Sequence, residues 1–215
     1  MSLEILHNRA EHTHENEQFR RCALELQTIF SQRNWDGLFI GNPFNDNYHR
    51  FRADAILCYN HGLILIDFKD YQGTINLPPN DEEFQNTKWY SESSKDKSRI
   101  EIKAGSRFIN PFRQLKAYRE AFYEIIEKNI YLNGSVDASR VAIANIFSGP
   151  VEVVNNIPGS LRYYKLVQES ELATFLYDFA SENKFSQEIA NALKVVFPAH
   201  KWEEVSIQNP VITKE

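Results

Sequence analysis

The segment Gly62-Leu63-Ile64-Leu65-Ile66-Asp67-Phe68-Lys69 restricts the fold more than any other part of the chain. Its unbroken aliphatic run has no polar face, so a strand made from it must be covered on both sides, as in the middle of a sheet. Phe51 to Tyr59 is a second strand-like run. Asn60-His61-Gly62 supplies the turn chemistry between the two, which predicts a hairpin whose second arm continues to Asp70. The buried arm ends in charge, at Asp67 and Lys69.

Two hairpin registers are open. With Asn60-His61 as the two-residue turn, Asp54 lies opposite Asp67; with His61-Gly62 as the turn, Asp54 lies opposite Lys69. In either register Asp54, Asp67 and Lys69 are expected on one face. Facing carboxylates repel, so something positive must offset them. Lys69 alone can do this as part of a charged strand end, or a divalent cation with oxygen ligands can, with Asp54, Asp67 and Glu15 as suitable donors.

The surrounding pattern predicts an α/β chain. Phe19, Cys22, Ala23, Leu26, Ile29 and Phe30 recur at helical spacing, giving a helix over Glu15 to Phe30 with Thr13 as cap. Glu15 falls within that stripe, whereas Glu17 points the other way. Residues 71–109 suit short strands near Gly73 to Leu77, Thr87 to Ser91 and Arg99 to Lys103, joined by loops. Asn110-Pro111 begins a helix, with asparagine as cap and proline at the first helical position, and that helix should end near Asn129. Val141 to Phe147 reads as a second buried strand, stopped by Ser148-Gly149-Pro150. Helices over Ser170 to Ser181 and Ser186 to Val196 complete a mixed sheet flanked by helices.

Charge is unevenly distributed. The formal net charge is −5 over 215 residues. Between Lys88 and Arg119, nine basic residues face three acidic ones, a local +6 that leaves −11 for the rest. An anionic substrate passing over this stretch is one explanation, and a solvated basic loop balanced by acidic helices is the other. No apolar run approaches the ~18 residues of a membrane span. The polar stretch from Met1 to His14 does not read as a secretory signal, so Cys22 and Cys58 are expected as reduced core thiols in a cytoplasmic protein. His12 and His14 suit a solvated tail better than a metal pair. The sequence contains no Walker-type loop, Gly-x-Ser-x-Gly elbow or Cys-x-x-Cys pair.

Asp54, followed by a Gly-led apolar strand ending in Asp67-Phe68-Lys69, resembles the PD-(D/E)xK nuclease superfamily. Tyr71-Gln72-Gly73, Trp89-Tyr90 and Asn110-Pro111-Phe112-Arg113-Gln114 narrow the resemblance to the nuclease-related domain, or NERD, family, over about Glu15 to Phe147. The resemblance implies a restriction-endonuclease-like core at about 15–147; length, composition and pattern point to a single domain, with a C-terminal strand and helix extension at about 151–200. The resemblance also implies a nuclease dependent on Mg²⁺ or Mn²⁺ and acting on DNA phosphodiesters. Asp54 and Asp67 would be metal ligands, Lys69 the catalytic lysine, and Gln114 a supporting helix residue. A first-helix acid, Glu15 with Glu17 competing, would complete the metal site. Gln114 and Tyr118 resemble a Gln-xxx-Tyr motif of the superfamily, and Arg107, Arg113 and Tyr118 would meet nucleic acid. Asp67 stands where glutamate is commoner. Such domains accompany helicase, kinase or topoisomerase-like modules, so a helicase or other DNA-processing partner is implied. Two alternatives remain: a catalytically inactive nuclease fold that binds nucleic acid or protein, and a structural domain with a salt-bridged strand end.

Overall fold

The computed structural model describes residues 3–105 and 107–203. Its first half runs β1 (Leu3–His7), α1 (Thr13–Arg33), β2 (Gly37–Gly41), β3 (Ala55–Tyr59), β4 (Gly62–Lys69), β5 (Gly73–Asn76), α2 (Asp81–Asn86), β6 (Tyr90–Glu92) and β7 (Arg99–Glu101). The second half runs α3 (Pro111–Lys128), β8 (Ala142–Phe147), β9 (Val151–Val154), β10 (Tyr164–Gln168), α4 (Leu172–Asp178), α5 (Gln187–Val196) and β11 (His200–Lys201). Seven strands form a mixed sheet in the order β10-β8-β4-β3-β2-β1-β11, and four form a second sheet in the order β7-β6-β5-β9. The chain is therefore α/β, with a mixed sheet between helices, as the sequence predicts.

β4 is the central strand its composition demands. All eight of its residues are buried, with β3 antiparallel on one side and β8 parallel on the other. Cys58 pairs with Leu63 and Ala55 with Ile66, which selects Asn60-His61 as the turn and sets Asp54 at the position opposite Asp67. The first arm is shorter than expected: Phe51 to Asp54 precede the strand rather than belong to it. Alternation divides β4 between two layers. Ile64, Ile66 and Phe68 pack with Phe19, Cys22, Ala23 and Leu26 of α1, while Leu63 and Leu65 pack with Phe112, Leu115, Phe122 and Ile125 of α3. Asp67 and Lys69 follow Leu63 and Leu65 onto the α3 side.

Helix α1 starts earlier than its apolar stripe suggests. Its cap is His12, without a side-chain hydrogen bond, and Thr13 lies inside the helix. The expected solvated tail at His12 and His14 is therefore the helix start, where the two exposed rings stack 5.6 Å apart. Cys22 and Cys58 are free and buried, one in each layer.

Helix α3 starts where Asn110-Pro111 directs. Asn110 Oδ1 accepts the Arg113 amide at 2.9 Å, and its Nδ2 donates to the carbonyls of Phe84, Gln85 and Thr87 at 3.0, 3.3 and 2.8 Å. One fully buried side chain thus ties the start of α3 to the end of α2. Asn110→Ala removes the cap and strands buried carbonyls, so it should cost about 2–4 kcal/mol and lower the Tm by roughly 6–12 °C in a thermal melt. A change under about 1 °C would contradict this role.

Candidate active site

The site forms where β4 and β8 end beneath α3. Lys69 Nζ lies 2.7 Å from Asp67 Oδ2 and donates to Gln114 Oε1 at 3.1 Å. Gln114 Nε2 in turn donates to the Tyr118 hydroxyl at 3.3 Å. The i, i+4 spacing on α3 puts Gln114 and Tyr118 on one helix face, turned toward the strand end. Tyr118 is half-buried, and burial pushes its hydroxyl up to about 12. It therefore serves as a neutral hydrogen-bonding group.

Asp54 departs from the expected single face. Ala53 and Ile56 both pack in the α3 layer, so strict alternation ends at Asp54. Its carboxylate folds back along the hairpin and accepts the Phe68 amide on Oδ2 at 2.6 Å. Asn42, in the left-handed region at φ 46°, donates its amide to the Asp54 carbonyl at 2.6 Å and fixes the backbone there. Asp54 also lines a small cavity with His7, Glu15, Phe19, Asn42 and Phe68. It thus sits at the sheet end, within electrostatic reach of Asp67 and Lys69 and of Glu15. Glu15 is half-buried in this cavity wall and Glu17 is exposed, which separates the two first-helix acids.

Burial and charge crowding act in one direction on Asp54. Desolvation pushes its carboxyl well above the usual range, and the Asp67 charge adds to this, with Glu15 contributing; Lys69 and the Phe68 amide oppose the rise. Asp67 is raised chiefly by burial, against the pull of Lys69 and Asn145. Burial lowers the Lys69 ammonium, but Asp67 and Asp54 together outweigh it and the net direction is upward. Lys69 therefore stays charged. Asp67 and Asp54 thus act on one ammonium, while Glu15 acts on Asp54 alone, from the α1 side.

That donor set fits a hydrated divalent ion held by a few carboxylates. Mg²⁺ keeps several waters and needs only one or two protein carboxylates. Among the described residues no group of three or more His, Cys, Asp or Glu side chains is placed to hold a metal ion, so what the site offers is at most a pair of carboxylates. An all-protein site of the structural zinc type is therefore not what these residues offer.

Two groups escaped the sequence reading. Asn145, the register partner of Asp67 on β8, donates Nδ2 to Asp67 Oδ2 at 2.5 Å, and Tyr164 donates its hydroxyl to Asn145 Oδ1 at 2.6 Å. The available signal was one amide in an otherwise apolar strand, Val141-Ala142-Ile143-Ala144-Asn145-Ile146-Phe147.

The sequence model of the nuclease-related domain family matches residues 12–143. The chain belongs to the NERD family. No curated protein and no solved structure gave a significant match. NERD membership carries a nuclease-related function, with nucleic acid as substrate or partner and a general dependence on a divalent metal. No helix among the described residues is long and apolar enough to cross a membrane.

The NERD motif residues outside the charge cluster are mostly structural. Gly73 holds φ 104°, and an added Cβ would strike the Glu92 carbonyl, so β5 and β6 meet only because this position is glycine. Trp89 is buried, its indole donating to the Phe84 carbonyl at 3.3 Å; a stacking platform for bases is excluded at that position. The basic stretch is also less free than its net charge suggests. Lys88 and Lys103 pair with Glu101, Lys97 pairs with Glu92, and the Arg99 guanidinium lies over Tyr90. Arg119 donates to the Val141 and Ser139 carbonyls at 2.7 and 2.8 Å and lies 4.1 Å from the Tyr163 ring centre. Arg107 and Arg113 are exposed.

Proposed function

We propose that this NERD domain is a divalent-metal-dependent nuclease that hydrolyses DNA phosphodiester bonds. The observation that carries the reading is the buried Lys69 ammonium held between Asp67 at 2.7 Å and Gln114 at 3.1 Å. A lysine with a free stem would sample many positions; this one has a single direction. Asp54 and Asp67 would hold a Mg²⁺ or Mn²⁺ ion, with Glu15 completing its surroundings from α1. The ion supplies a more acidic bound water and charge neutralisation at the phosphate.

The chain's own residues do the rest. Lys69, charged and aimed by Gln114, positions the attacking water and stabilises charge developing on the phosphate oxygens. Asp67 keeps Lys69 from turning away. Gln114 fixes the ammonium from α3, and Tyr118 fixes the amide of Gln114. Arg107 and Arg113, with the Tyr118 edge, would meet the DNA backbone. A cytoplasmic setting agrees with two free buried cysteines.

A thermal melt with added Mg²⁺ or Mn²⁺ separates this reading from a metal-free binding module. The nuclease should gain several degrees with metal, and Asp67→Asn should remove that gain. A protein that binds DNA equally well in chelator and gains no stability from metal would contradict the proposal. The arginines give a second check. Arg107→Ala and Arg113→Ala should each weaken DNA binding and reduce its salt slope by about 1, at nearly unchanged Tm. Arg119→Ala should instead lower the Tm by several degrees, because its bonds are internal.

A further inference from the structure

Asp67 receives two donors on one oxygen. Lys69 approaches Oδ2 at 2.7 Å and Asn145 Nδ2 approaches the same atom at 2.5 Å. Asn145 is fully buried, and so is Tyr164 behind it. The Tyr164 ring is enclosed by Phe112, Phe84 and Trp89, with ring centres 5.1, 5.9 and 6.1 Å away. Its hydroxyl therefore has little freedom, and it points at Asn145 Oδ1 at 2.6 Å.

An amide flip at Asn145 would set its oxygen against the Asp67 carboxylate and turn its NH₂ toward the tyrosine hydroxyl. Only the observed orientation gives Asp67 a donor and the hydroxyl an acceptor. The three groups thus specify one another along a buried line from the aromatic cage to the strand end. Phe112, from the Asn-Pro segment, and Trp89 are parts of that cage, which gives these motif residues a route to the site they do not touch.

We propose that Tyr164 and Asn145 form a positioning relay that fixes the rotation of the Asp67 carboxylate, occupying Oδ2 and reserving Oδ1 for a divalent cation. This inference rests on the metal-dependent reading above. Partners behind a metal ligand typically contribute 10–100-fold in affinity when they hold the ligand's orientation. The relay differs from the Lys69–Gln114–Tyr118 chain because it approaches from β8 and β10 rather than from α3 and carries no charge of its own.

Mn²⁺ titration followed by the EPR signal of free ion tests the relay without reference to turnover. Wild type, Tyr164→Phe, Asn145→Leu, the double variant and Asp67→Asn are compared, with far-UV CD and a thermal melt for each. Tyr164→Phe keeps the caged ring and removes only the hydroxyl. It should weaken Mn²⁺ binding by about 10-fold and Asn145→Leu by up to about 100-fold. The two effects should not add: the Tyr164→Phe loss should vanish in the Asn145→Leu background. Folded single variants that melt a few degrees lower yet bind Mn²⁺ like wild type would show a structural role only and overturn the relay. Additive losses would overturn it as a connected chain. If wild type binds no Mn²⁺, or Asp67→Asn binds it unchanged, the metal reading fails first and the relay falls with it.

Discussion

Lys69→Ala is expected to lose at least 100-fold in metal-dependent DNA cleavage and also to destabilise the metal-free fold. The two losses share one cause. The ammonium is the positive group held between Asp67 and Gln114, so its removal takes away the charge aimed at the phosphate, an effect that in comparable electrostatic sites amounts to ~10²–10³ in rate. It also leaves Asp67 and Asp54 crowded without compensation. Breaking a buried pair from one side costs about 3–5 kcal/mol, which for a chain of this size is roughly 8–15 °C in Tm. Added Mg²⁺ should return part of the stability of Lys69→Ala and none of its cleavage. A variant that melts like wild type and cuts like wild type would remove Lys69 from the account.

Asp54→Asn should behave in the opposite sense without metal. The Asp54 carboxyl is raised in the folded protein by burial, then by Asp67 and Glu15, so across the interval between its ordinary range and its raised value the folded state binds more protons than the unfolded state. Stability therefore falls as pH rises through that interval and stays reduced above it. Asparagine keeps an acceptor for the Phe68 amide and removes the charge. In chelator at pH 7–8 the variant should gain about 1–3 kcal/mol, roughly 3–10 °C, and the gain should shrink toward pH 4. With Mg²⁺ the order reverses, because wild type is stabilised and Asp54→Asn is not. Asp67→Asn should lose stability in chelator, since Lys69 forfeits its 2.7 Å partner. Melts at four pH values, with and without metal, read all of this; a pH-independent difference between wild type and Asp54→Asn would contradict it.

What the sequence made legible was local. Turn chemistry narrowed the hairpin to two registers, between which only the strand pairing decides, and the start of α3 follows from an Asn-Pro pair whose amide and ring are suited to those positions. The central strand was legible because a continuous aliphatic run has few places to go. β1 and β2 were not: β2 is Gly37-Leu38-Phe39-Ile40-Gly41, framed by residues that read as loop, and both strands are defined by parallel pairing across more than thirty residues. β9, β10 and β11 depend equally on distant partners. Helix α2 has six residues, too few to show a period.

The candidate site was legible in its charged members and, through the Gln-xxx-Tyr resemblance, in Gln114 and Tyr118, but not in Asn145 and Tyr164. Asp54, Asp67 and Lys69 were visible because charge in a buried pattern needs a reason. Asn145 stood out only as one amide in an apolar strand, and Tyr164 lay in a segment whose polarity did not distinguish it. Net charge misled in the basic stretch, since pairing of β6 with β7 brings Glu92 opposite Arg99 and sets Glu101 among lysines, an arrangement that only the strand register reveals.

The most direct test is cleavage of plasmid and oligonucleotide DNA by wild type, Asp67→Asn and Lys69→Ala in Mg²⁺, in Mn²⁺ and in chelator. Cutting by wild type only with metal, slowed at least 100-fold in both variants, is the predicted result. Equal cutting by all three proteins, or none by folded, metal-loaded wild type on either substrate, would contradict the account.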